Sequence, residues 1–289
     1  MGSQCCPKKK IYNPFELTED SDDSKIYKSD DDLFPSDEEY HKEMNAFEEK
    51  FLLQEIPFED YVICLFKIMG KDLTTEQEKK VPSLNAYEEI YNSPIDAESF
   101  ANELLKKFKK EKGYELTRIS IISMGETISN HIKKKGMDRL FVLHMMSIGF
   151  LYCKGENLRK LKFFYELFKV EKDVEPCLRC DSYSIDMFLF SVLIVATIGN
   201  FNAQKNVNIL KKQMEEDLQE KFCQIHAING FEQQVFESLL GIEDVNKINE
   251  FKITWQKLYE RYVKKEIEYW PFSAPCLRKY IRQRIDRQN

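Results

Sequence analysis

Apolar residues recur every three or four positions along most of the chain, the spacing that gathers them on one face of an α-helix. Met44, Phe47, Phe51 and Leu52 make the first such stripe, behind a capping box that pairs Ser36 with Glu39. Tyr61, Cys64, Leu65, Ile68 and Met69 make the second, with Gly70 as its stop. The polar stretch Lys71 to Ser83 reads as a loop or frayed turn. Pro94 and Asp96 introduce a helix over Ala97 to Lys112, with Phe100, Leu104, Leu105 and Phe108 on its apolar face. Its last turn is basic, as the helix dipole favours. Helices follow over Thr117–Lys135, Met137–Cys153 and Leu158–Lys169, broken at Gly136 and at Lys154-Gly155. Asp181 or Ser184 opens the run Ile185 to Ile198, apolar on nearly every face and suited to the centre of a bundle. Later helices are expected over Ala203–Ile228, Phe231–Leu240 and Val245–Val263, with one more near Ser273–Arg287.

No fixed repeat of twenty to fifty residues stands out, which sets a solenoid aside. The pattern predicts an all-α fold of two helical halves, residues 36–153 and 154–272, jointed near Lys154-Gly155. An arm over 1–35 precedes them, and a basic helix or tail over 273–289 follows. Composition agrees, because 10 glycines and 9 prolines in 289 residues are few for a strand-rich fold. At 43% hydrophobic and 32% charged, the chain is globular and large enough for a real core. The longest apolar run, Met187 to Ile198, is too short to cross a bilayer.

The net charge of −6 is unevenly placed. From Ile11 to Lys50 there are 14 acidic residues against 4 basic ones, including Asp30-Asp31-Asp32 and Asp37-Glu38-Glu39. Such a segment repels itself and is expected to be extended, or ordered by a partner. Arg278 to Asn289 holds five basic residues and one acidic, too narrow a patch for a nucleic-acid surface.

The opening Met1-Gly2-Ser3-Gln4-Cys5-Cys6-Pro7-Lys8-Lys9-Lys10 has the form of a lipid-modification signal. Removal of Met1 would expose Gly2 to myristoylation, and Cys5 and Cys6 lie where palmitoylation could add a second chain. Lys8, Lys9 and Lys10 would meet anionic headgroups. One myristoyl chain binds marginally, and a second acyl chain or a basic cluster makes the anchor stable. The sequence departs from the usual pattern at Cys6, where Ser or Thr is preferred. The first ten residues do not read as a secretory segment, and the 8 cysteines lack the spacing of a small disulfide framework. Reduced thiols on the cytoplasmic face of a membrane, ciliary among the candidates, are the expectation, with a mitochondrial site as the alternative.

Several segments resemble paired EF-hand proteins of the calcineurin B and neuronal calcium sensor type. Lys154-Gly155-Glu156-Asn157-Leu158-Arg159-Lys160-Leu161-Lys162-Phe163-Phe164-Tyr165-Glu166-Leu167-Phe168 resembles the linker and first helix of their third EF-hand. Ile56-Pro57-Phe58-Glu59-Asp60-Tyr61 and Ile253-Thr254-Trp255-Gln256-Lys257-Leu258-Tyr259 resemble loop ends with their exiting helices. The resemblance implies Ile56 and Ile253 in bridge positions, Asp60 in a last-ligand position, a myristoyl glycine, and a groove for a partner helix.

Calcium chemistry does not carry over. A working loop needs oxygen ligands at its first, third and fifth positions, glycine at the sixth and a bidentate glutamate at the twelfth. Upstream of Ile56 the loop holds Glu49, Phe51, Leu53 and Gln54. After Phe168 it holds Lys169, Glu171 and Asp173, with Val174 in the glycine position, and Lys257 replaces the last carboxylate before the final helix. Degenerate loops, largely insensitive to calcium, are the expectation.

A candidate zinc set remains. Cys177-Leu178-Arg179-Cys180 and Cys223-Gln224-Ile225-His226 supply sulfur and imidazole at a spacing zinc accepts, although a helical Lys221–Ile228 would explain Cys223 and His226 equally as core. Enzyme signatures are thin: there is no phosphate loop, nucleophile elbow or zincin motif. His144, among Leu140, Phe141, Val142, Met145 and Met146, reads as a satisfied core histidine, and Cys64 and Cys153 read as structural thiols. The sequence is therefore read as a non-catalytic, membrane-anchored adaptor that docks a protein partner through a helical groove and its acidic arm. The alternatives are a structural subunit of a large ciliary or mitochondrial assembly, and a calcium-responsive regulatory subunit.

Overall fold

A computed structural model describes residues 45–70, 88–134, 139–170, 175–179, 183–196, 252–264 and 272–278, and these are mostly helical. After a helical turn at 45–48 and a 3-10 turn at Leu52–Glu55, α1 spans Phe58–Ile68. It buries Phe58, Tyr61, Val62, Leu65 and Phe66 on one face, and Gly70, at φ 74°, ends it in the left-handed region that favours glycine. α2 spans Glu88–Tyr91 and α3 Ala97–Leu104. Asp96 caps α3 by accepting the Ser99 N–H at 2.8 Å, and hydrogen bonding from the Ser99 side chain first and its N–H second holds the carboxyl below the usual carboxylate range.

α3 ends eight residues before the predicted stop at Lys112, giving way to a 3-10 turn at Lys106–Phe108. The Phe108 N–H donates to the Leu105 carbonyl at 2.8 Å, and this tighter turn keeps both Leu105 and Phe108 against the core. α4 (Tyr114–Lys134), α5 (Val142–Tyr152) and α6 (Asn157–Phe168) follow. α5 starts later than the predicted Met137 because the chain before it is extended. The Ile95 N–H donates to the Leu140 carbonyl at 3.0 Å and the Val142 N–H to the Ser93 carbonyl at 3.2 Å, pairing Pro94 with Phe141.

α7 spans Tyr183–Ile194 and packs along α5. Every residue of α5 is buried, so the centre of the body is a pair of helices and not one. The two-residue strands β1 (Leu178–Arg179) and β2 (Lys252–Ile253) pair antiparallel, with Leu178 opposite Ile253. The helix predicted from Val245 is therefore extended at 252–253, and α8 runs over Trp255–Val263. A last helical turn at 274–278 returns to the start of the body.

The apolar core is continuous across the predicted joint. Phe150 of α5 lies 4.7 Å from Phe58, 5.8 Å from Phe163, 5.1 Å from Phe188 and 4.8 Å from Phe272 between ring centres. Aromatic contacts at these separations add to the energy of burial itself. At the joint the Lys154 N–H donates to the Ile56 carbonyl at 3.0 Å and the Phe58 N–H to the Lys154 carbonyl at 2.8 Å.

Candidate functional site

The densest buried polar chemistry among the described residues lies where the turns at 45–48 and 274–278 meet the end of α5. Arg278 and Glu48 sit there at 1% and 4% exposure, 230 residues apart in sequence. Nη1 of Arg278 donates to Oε1 of Glu48 at 2.7 Å and Nη2 donates to Oε2 at 2.9 Å, the two-pronged geometry that only a guanidinium offers a carboxylate. Nη1 also donates to the Ala196 carbonyl at 3.0 Å and Nη2 to Oδ1 of Asn45 at 2.9 Å. The Tyr152 hydroxyl donates to Oε1 of Glu48 at 3.2 Å. Desolvation works to lower the Arg278 pKa, but the charge and hydrogen bonds of Glu48, helped by Tyr152, raise it above its ordinary value.

A pocket of about 430 Å³ opens beside this pair, lined on its polar side by Glu48, Glu49, Lys154 and Lys160 and on its apolar side by Tyr152 and Phe272. Lys160 is itself buried, and its ammonium donates to the Phe150 carbonyl at 2.7 Å, satisfying an end carbonyl of α5. Cys153 also lines the pocket, and burial pushes its thiol far up, favouring the protonated form. The buried cations here have fixed oxygen partners, and the thiol is held protonated. This arrangement suits holding chain segments together or seating a ligand.

His144 is buried, as its apolar neighbours imply. Its Nδ1 accepts the Phe141 N–H at 3.1 Å at the start of α5, and burial pushes its pKa down to about 4. Cys64 is half-buried, with its thiol pushed up to about 11 by desolvation first and Glu103 second. Asp60 lies exposed in the first turn of α1, where the helix dipole favours a carboxylate, and the upstream Phe51 and Leu53 are buried in the core. Cys177 is buried, its backbone paired with Val170. Cys180, Cys223, His226, Glu171 and Asp173 lie outside the described residues, as do Gly2, Cys5, Cys6, Lys8, Lys9 and Lys10. No cluster of three or more His, Cys, Asp or Glu occurs among the described residues. No described helix is long and apolar enough to cross a membrane.

Sequence reasoning missed the Glu48–Arg278 pair and the buried Lys160. No local signal announces a pair so far apart. For Lys160 the one hint was its place two residues after Leu158, in a helix dense with Phe and Leu. The fold and site together define a mostly helical body with a buried, charge-paired seam. No family model, curated protein or solved structure matches the chain.

Proposed function

We propose that the chain is a non-catalytic adaptor built on EF-hand-like helix pairs, largely insensitive to calcium and anchored to a membrane through Gly2 with Cys5 or Cys6. The observation that carries this reading is two of the three antiparallel pairings among the described residues, Pro94 with Phe141 and Leu178 with Ile253; at the other expected bridge position, Ile56, the neighbouring Pro57 instead pairs in parallel with Lys154. Each joins two segments, and the segments of Pro94, Phe141 and Ile253 run directly into α3, α5 and α8. Loop-to-loop bridging of this kind is what the resemblance to paired EF-hands implies. The ligand chemistry is degraded at the same places. Four residues beyond Phe141 stands the buried Met145, and four beyond Ile253 the exposed Lys257. Four beyond Pro94, Glu98 is held by Arg118 at 2.6 Å. Met145 and Lys257 offer no carboxylate for calcium, and the Glu98 carboxylate is already paired with Arg118.

Docking in this reading falls to the acidic arm more than to a groove. Val263 is the one large apolar side chain that stands exposed among the described residues, and Met145, Met146 and Met187 are buried. The protein partner would be recognised by carboxylates, and the membrane by acyl chains. Mass spectrometry of the N-terminus from a eukaryotic host tests the anchor, and unmodified Gly2 with free Cys5 and Cys6 would refute it. Calorimetric titration with calcium tests the degenerate loops, and micromolar binding heat would refute them. Cross-linking followed by co-purification of the full chain tests the adaptor role; recovery of the chain alone, without a stoichiometric protein partner, counts against it.

A further inference from the structure

The strongest unbalanced charge among the described residues lies on the turn after α3. Lys106, Lys107, Lys109, Lys110 and Lys112 fall within seven residues and are all exposed, with Glu111 the acidic residue among them. Glu103 engages Lys106 at 3.7 Å and Lys67 at 3.1 Å. Lys107, Lys109, Lys110 and Lys112 make no ion pair among the described residues, and the ammonium of Lys107 rests 5.2 Å from the Phe108 ring centre.

The turn is fastened next to the start of the body. Gly113, at φ 99°, lies so close to the Lys50 carbonyl that a Cβ there would come within 2.9 Å of it. The lysines thus emerge beside Lys50, a few residues from Asn45, the first described residue after the acidic segment. Charge bookkeeping points the same way. Residues 1–44 hold twelve acidic and six basic residues, which accounts for the whole net charge of −6 and leaves the remainder of the chain neutral.

Reach is not limiting. Asp37-Glu38-Glu39 begins eight residues before Asn45 and Asp30-Asp31-Asp32 fifteen. At about 3.3 Å per residue these spans reach roughly 26 Å and 50 Å. A tethered anion acts at an effective concentration in the millimolar range, so an untethered anionic surface would have to displace it.

We propose that the acidic segment before Asn45, through Asp30-Asp31-Asp32 of the arm and Asp37-Glu38-Glu39 just after it, docks on the lysine turn 106–112, so that the turn's resident partner is a segment of its own chain. This goes beyond the adaptor reading and stands without it: a partner that takes the arm uncovers a basic surface, and an anionic surface that takes the turn releases the arm.

The test labels the full-length, unacylated chain with an amine-reactive ester and reads each lysine by peptide mass spectrometry. A variant with Asp30, Asp31, Asp32 and Asp37 changed to Asn, and Glu38 and Glu39 to Gln, leaves the body untouched. At about 50 mM salt, where screening is weak, labelling of Lys107, Lys109, Lys110 and Lys112 should be at least roughly threefold faster in the variant. Lys257 and Lys264, exposed at α8, serve as controls and should not change. Carbodiimide treatment of the wild type should join turn lysines to arm carboxylates and lose that product in high salt. Equal labelling rates in wild type and variant would overturn the proposal. So would wild-type binding to phosphatidylserine vesicles that requires the four lysines and is indifferent to the arm substitutions, because it would assign the turn to a lipid surface.

Discussion

Arg278→Met removes a buried guanidinium that makes four hydrogen bonds, and it leaves the Glu48 carboxylate buried with its countercharge gone. Replacing a buried pair wholesale is often neutral, whereas breaking it costs about 3–5 kcal/mol. The upper part of that range applies here, because Asn45 Oδ1 and the Ala196 carbonyl lose a donor at the same time. In a body of this size each kcal/mol moves Tm by about 2–4 °C, so a fall on the order of 10 °C is expected. Urea titration followed by circular dichroism gives the free energies for Arg278→Met, Glu48→Met and the double variant. The double variant should be no less stable than either single one, which isolates the unpaired charge from the lost packing. Arg278→Lys, which keeps the charge but not the two-pronged geometry, should fall between wild type and Arg278→Met. A cost below about 1 kcal/mol for Arg278→Met, or strictly additive singles, would refute the buried-clasp reasoning.

Three further outcomes follow from the same geometry. His144 has its pKa pushed down to about 4 against an ordinary value of 6.5, so folding releases its proton between those values. The associated stability is complete above about pH 6.5 and falls as acid is added, by about 2 kcal/mol between pH 7 and pH 5. His144→Gln should flatten that slope in urea titrations, and an unchanged slope would place the acid sensitivity elsewhere. At Gly149 a Cβ would meet the Tyr61 ring at 2.5 Å, so Gly149→Ala should lose about 1–2 kcal/mol despite alanine's better helix propensity, and a gain in stability would contradict the close crossing of α1 and α5. Phe150→Ala removes the ring shared by Phe58, Phe163, Phe188 and Phe272 and should cost about 3–5 kcal/mol in one cooperative transition; two separated transitions would mean that the halves do not share a core.

The elements most legible in the sequence were those whose stripes face a single core. α1 and its Gly70 stop, α4, and α6 with its break at Lys154-Gly155 all follow from three-and-four spacing. α7 betrays its central place by being apolar all round, whereas α5 reads only as one helix of the series, with its full burial not foreseen. The early end of α3 was not legible, because the lysines from 106 to 112 are good helix formers and only packing of Leu105 and Phe108 forces the tighter turn. The bridge of Pro94 with Phe141 was equally hidden, since backbone pairing between two loops leaves no periodic trace. Of the candidate sites, Asp60 stands in the first turn of α1 and Cys177 is buried beside a bridge, while its expected zinc partners lie outside the described residues. Glu48 and Arg278 looked like any surface acid and base, because what makes them a pair is the path of the chain between them.

The closing turn at 274–278 also makes the body vulnerable to clipping. An early stop codon before Phe272 removes both that ring and the countercharge of Glu48, and one between Phe272 and Arg278 removes the countercharge alone, so either would act like a core lesion.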